Sequence, residues 1–98
     1  MKLLRIEKAN PPKKFKAIFS TDSGRTKTIS FGSAGMDDYT LTHDKAQRDR
    51  YRTRHAKDLL TAASKTGVSA GALSYFVLWG ESTNMSQNIA SYRRRFGL

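Results

Sequence analysis

The sequence predicts an α+β fold: a small N-terminal three-stranded antiparallel sheet covered by about three helices. Three observations predict it. Up to Phe31 apolar residues alternate with polar ones, the period of a strand with one buried face. Beyond Tyr39 they recur at intervals of three and four, the period of a helix. A short glycine-bracketed segment, Gly32 to Gly35, separates the two regimes. With 98 residues the chain is long enough for one core and too short for two. Residues 1–98 are therefore one domain, with residues 1–33 as a β-meander and residues 42–98 as its helical part.

The first strand runs from Leu3 to Lys8, where Leu4 and Ile6 alternate with Arg5 and Glu7, and Asn10, Pro11 and Pro12 end it. Phe15, Ala17 and Phe19 form the apolar face of the second. Asp22, Ser23 and Gly24 supply turn chemistry before Lys27, Ile29 and Phe31 resume the alternation. Three strands with one apolar face are about the smallest stable sheet, and only when something covers that face.

The first helix is expected from an N-cap at Thr42, with Asp44 in its first turn, to about Ala63. Tyr51, His55 and Leu59 share one of its faces, so His55 reads as a core histidine, while Arg50, Arg54 and Lys57 project to the other side. Gly67 to Gly71 interrupts the pattern. The apolar run from Leu73 to Trp79 fits a buried helix or a buried strand, and Ser69 as cap with Gly80 as terminator favours a short helix. The last helix is the clearest. Met85, Ile89, Tyr92 and Phe96 make a single buried stripe, Asn84 caps with Gln87 three residues on, and Gly97 is the stop. Arg93, Arg94 and Arg95 then fan over its sides and back.

Catalytic chemistry is not expected. Without cysteine there is no thiolate nucleophile and no Cys-based zinc site. His43 with Asp37, Asp38 and Asp44 matches no zinc or calcium spacing, and no phosphate-binding loop, dinucleotide fingerprint or nucleophile elbow occurs. Gly32-Ser33-Ala34-Gly35 reads as turn geometry rather than as an anion site. Neither cofactor nor metal is expected, nor a small-molecule substrate. No stretch approaches the roughly 20 apolar residues of a membrane span, and MKLLRIEKANPPKKFK is not a signal peptide, so an intracellular setting is expected.

Charge is the dominant feature. Lys and Arg number 18 against 8 Asp and Glu, a formal net charge of +10, which makes a polyanion the natural partner. The candidate contacts are Arg50, Arg54 and Lys57 on the first helix, Arg93, Arg94 and Arg95 on the last, and Lys13, Lys14 and Lys16 in the N-terminal hairpin.

A set of separated motifs carries a resemblance: Phe31-Gly32, Gly35, Asp38-Tyr39-Thr40, Asp44, Arg48, Tyr51, Arg54-His55, Leu73-Ser74, Leu78-Trp79-Gly80, Asn88-Ile89, Tyr92 and Phe96. Together they resemble a family of small basic proteins of large double-stranded DNA viruses of algae and amoebae, of the phycodnavirus and mimivirus kind. The likeness covers nearly the whole chain and is less distinct up to Ser30. It implies a viral source, in the virion or the infected cell, and brings no catalytic residues with it. The expected function is a non-enzymatic accessory protein that binds nucleic acid, DNA ahead of RNA, mainly through phosphates. The alternative is a minor capsid protein that bridges larger, acidic coat subunits.

Overall fold

A computed structural model describes residues 1–98. Strands β1 (Lys2–Lys8), β2 (Lys13–Ser20) and β3 (Thr26–Ser33) form an antiparallel sheet in the order β1-β2-β3. Helices follow: α1 (Tyr39–Thr42), α2 (Lys45–His55), a 3₁₀ turn over Ala56–Leu60, α3 (Ala62–Lys65), α4 (Ala70–Leu73) running into a π-helical turn over Ser74–Leu78, and α5 (Met85–Phe96). The fold is α+β, as the sequence predicts.

The alternation in β2 and β3 sets the register. Phe15 faces Phe31, Ala17 faces Ile29 and Phe19 faces Lys27, so one face of the sheet is apolar. In β1 the sequence misleads by one residue. A bulge between Leu3 and Arg5 brings Leu3 opposite Phe19 and Ile6 opposite Ala17. Leu3, rather than the 46% exposed Leu4, therefore joins the core. Ala17, Phe19 and Phe31 pack with Val68, Leu73, Val77, Leu78, Trp79 and Tyr92 from the helical part, which covers the sheet.

Three further expectations need correction. Thr42 ends α1 instead of capping α2; Asp44 is the cap, its carboxylate accepting from the Gln47 amide at 3.1 Å. The long helix to Ala63 is interrupted twice: at His55 the backbone leaves the helical range (φ −103°, ψ 6°) and a 3₁₀ turn follows, and at Thr61 an extended backbone and a hydroxyl that accepts from the Ser64 amide start α3 anew. Along α5 the caps are those expected, with Asn84 accepting from the Gln87 amide and Gly97 closing the helix at positive φ. Its buried positions, however, are Asn88 and Tyr92, and Ile89 is only half-buried.

Asn88 is buried because its amide is fully used. Its nitrogen donates to the carbonyls of Val77 (3.0 Å) and Ser82 (2.7 Å), and its oxygen accepts from the Ser82 amide. Gly80 makes this approach possible: a methyl there would sit 2.7 Å from Asn88 Cγ. The Leu73–Trp79 run is thus helical, with Ser69 as its cap, and is held against α5 through a side-chain amide.

Candidate nucleic-acid interface

An open cleft of about 760 Å³ lies between the end of the sheet and the helices. One wall comes from the start of β2 and the glycine loop after β3, the other from α2, and the floor from α4 and the π turn that follows it. Gly32 shapes the first wall. Its backbone has φ 74°, and a methyl group would lie 2.9 Å from Leu78 Cδ1 and 3.2 Å from Lys14 Cβ. The turn role expected of Gly32 and Gly35 agrees with their positive φ values.

Lys13, Lys14, Arg50 and Arg54 all line this cleft. On α2 the expected division into opposite sides does not hold. At 100° per residue Arg50 and Arg54 lie about 100° from Tyr51 and His55, adjacent rather than opposed, and the cleft opens across that boundary, taking all four. Lys57 falls outside it. The tighter 3₁₀ turn after His55 rotates the face, and Asp58 enters the lining in its place.

An aromatic ladder underlies the cations. Tyr51 stacks on Trp79 at 4.4 Å between centroids and 9° between planes, and on its other face carries His55 at 4.2 Å and 27°. Trp79 is buried, while the His55 side chain keeps 36% of its surface. The histidine is a cleft residue and not a core one. Asp58 Oδ2 lies 2.7 Å from its Nδ1, within hydrogen-bond reach. Burial, helped by the nearby Asp58 charge, raises the Tyr51 hydroxyl above its ordinary value, so that side chain is a neutral stacking surface.

The three hairpin lysines part company. Lys13 is exposed at the mouth. Lys14 is committed to a buried pair with Asp38 at 2.6 Å, with side-chain exposures of 10% and 2%. Asp38 also accepts from the backbone amide of Thr40 (2.9 Å) and from its hydroxyl, so both carboxylate oxygens are engaged and the residue caps α1. Lys16 lies opposite Glu7 on β1, 3.4 Å away, and its charge is shared there. Arg5, and after it Lys16, keep the Glu7 carboxyl below its ordinary value. Among the 18 lysines and arginines, only Arg5, Lys14, Lys16 and Arg48 pair with carboxylates. Lys13, Arg50 and Arg54 do not. Asp37 and Asp58 are the acidic members of the lining, and Asp58 is engaged by His55.

Arg93, Arg94 and Arg95 are exposed and lie outside this cleft. Arg94 and Arg95 instead line a second groove of about 510 Å³ together with Arg52, which sequence reasoning missed. Arg52 lies over the Tyr75 ring at 4.7 Å and its Nε is buried without a partner. Its spacing of two from Arg50 and Arg54 was the available sign that it points elsewhere. The contribution of Trp79 to the first cleft had no such sign, since its place against Tyr51 is a tertiary contact between residues far apart in sequence. No three His, Cys, Asp or Glu side chains converge on a point: Asp38 and Asp44 serve as caps, and His43 closes α1 at φ 55°. No helix is long and apolar enough to cross a membrane.

These features define a small basic α+β protein with a cation-rimmed cleft over stacked rings. A family of unknown function, DUF5754, matches residues 6–55, more than half of the chain, and the protein belongs to that family. The matched stretch runs from Ile6 in β1 to His55 at the end of α2. It therefore holds Lys13, Arg50, Tyr51, Arg54 and His55 and leaves out Trp79 and α5. No curated protein and no solved structure matches the chain.

Proposed function

We propose that this protein binds nucleic acid, with phosphates held at the rim of the first cleft by Lys13, Arg50 and Arg54, as an accessory protein of a large DNA virus. One observation carries the reading. Residues separated by about 40 positions in sequence meet around one concavity, and none of their three charges is spent on a carboxylate. Counterion release makes such unpaired cations favourable contacts for a phosphodiester chain. The net charge of +10 adds long-range attraction of the same sign. The viral source rests on the resemblance, several of whose residues (Gly32, Gly35, Tyr51, Arg54, His55 and Trp79) line this cleft.

The contacts are to phosphates, so little sequence preference is expected. A fluorescence-anisotropy titration of labelled DNA should show binding at about 50 mM salt, with a log-log salt slope of about −2 on a single strand and about −3 on a duplex for three phosphate contacts. The double change Arg50→Gln and Arg54→Gln should flatten that slope by roughly 2. Absence of binding at low salt would remove the reading, and a double variant with unchanged slope would move the contacts away from this cleft.

A further inference from the structure

We propose that the cleft takes an unpaired strand rather than a duplex, with one base laid on the outer face of His55 and the flanking phosphates on Arg50, Arg54 and Lys13. This rests on the preceding reading that the cleft binds nucleic acid. Both faces of Tyr51 are occupied, one by Trp79 at 4.4 Å and the other by His55 at 4.2 Å. Trp79 is buried among core residues, which closes that end of the ladder. The ladder therefore ends at His55, whose side chain keeps 36% of its surface and lines the cleft. Asp58 meets the ring at Nδ1, on its edge.

An aromatic face next to guanidinium groups is the arrangement single strands use: bases stack on rings while the backbone follows the positive charge. A duplex cannot supply the partner, because its bases are stacked on one another and offer only their edges in the grooves. A cleft of about 760 Å³ is also of the size that takes a small organic ligand, hence one nucleotide of a single strand. Any of the four bases has a π-face, so the site selects strandedness and not sequence.

Three labelled probes of about 12 nucleotides, within the range of single-strand site sizes, test this: oligothymidine, the same backbone with abasic residues, and a hairpin duplex. Oligothymidine should bind wild-type protein at least about fivefold more tightly than the abasic strand, the lower end of what stacking of one base contributes. His55→Ala should erase that preference, and His55→Phe, which keeps a ring but gives up the Asp58 bond, should restore it. Equal affinity of wild type for the thymidine and abasic strands would overturn the proposal whatever the variants do. So would a preference that survives His55→Ala. If all probes bind equally and Arg50→Gln with Arg54→Gln weakens all of them, stacking is wrong and the phosphate reading stands. If no probe binds, both fall.

Discussion

Arginine occupies every second position of α2, from Arg48 to Arg54, and three consecutive positions of α5, Arg93 to Arg95, and the two arrangements do different work. A spacing of two is 200° on a helix, so alternate members go to nearly opposite sides. Arg50 and Arg54 reach the first cleft. Arg48 turns away to bond Asp49 and the Glu81 carbonyl, with its guanidinium over Tyr39. Consecutive positions are 100° apart, so each arginine of α5 meets a different neighbour. Arg93 donates to the carbonyls of Leu3 (3.1 Å) and Leu4 (3.4 Å), beside the bulge of β1. Arg94 donates to the Ser91 hydroxyl, and Arg95 lies over the Phe76 ring. The helices differ underneath as well: α2 has no fully buried residue, whereas α5 buries Asn88 and Tyr92. Spacing and what lies beneath, more than the number of charges, separate a cation-presenting helix from a packing one.

The largest effect that could break this contrast lies on α5. Tyr92 is 1% exposed and packs with Phe96 at 5.4 Å between ring centroids. Tyr92→Ala should destabilise the fold by roughly 3 to 5 kcal/mol, the range for deleting a large buried ring. Arg50→Gln with Arg54→Gln should shift stability by no more than about 0.5 kcal/mol, as exposed substitutions do. Urea denaturation measures both. A double variant of α2 as damaging as Tyr92→Ala would show that these arginines hold the fold together.

A smaller effect sharpens the same point through pH. The Tyr92 hydroxyl donates to the Gly67 carbonyl at 2.5 Å, and burial pushes its ionisation well above the ordinary tyrosine range. The folded state then holds a proton that the unfolded chain gives up near pH 10. The stability from this group is complete below about pH 10 and is lost as pH rises beyond it, because only the unfolded state gains from ionising. Tyr51, raised in the same direction, adds to the trend. Tyr92→Phe should cost about 1 to 3 kcal/mol at neutral pH by leaving the Gly67 carbonyl without its donor. It should also unfold less steeply with pH above 10 than wild type. An identical alkaline profile would show that this hydroxyl does not govern it.

How much of this was legible from the sequence depends on whether local rules decided the outcome. The β2–β3 hairpin, the Asn84 and Gly97 caps and the Tyr51–His55 pairing follow from period and turn chemistry, and they stand. The bulge at Leu4 could not be read, since it answers to the register imposed by Phe19 and Ala17 across the sheet. Lys14 looked like its neighbours Lys13 and Lys16. Only the fold brings Asp38, 24 residues away, against it and removes its charge from the surface. The break before α3 shows in Thr61, a residue suited to capping, whereas the apolar stripe through Leu59 points to continuity. The candidate site was legible as a list of cations. It was illegible as a place, because a cleft between β2, a glycine loop, α2 and the π turn is a tertiary object.

The smallest effects lie within the α5 triplet, where single substitutions to Gln keep helix propensity and remove one charge each. Arg93→Gln should cost about 1 kcal/mol, because its guanidinium ties the last helix to the first strand by a charge-assisted bond that is only partly buried. Arg95→Gln should cost roughly 0.5 kcal/mol, the lower value for an exposed cation over an aromatic ring. Arg94→Gln should be near zero, since its bond is to an exposed serine within the same helix. Each change should alter the salt dependence of DNA binding by less than the change at Arg50 or Arg54, because the α5 guanidinium groups lie outside the first cleft. Measured by denaturation, the order Arg93, Arg95, Arg94 tests whether direction around the helix assigns the role. Three equal costs would mean that these charges act together, through net repulsion or the helix dipole, and not one by one through their contacts. A salt slope that falls by a full unit for each of them would carry the phosphate path across α5, and the division between a presenting helix and a packing helix would give way.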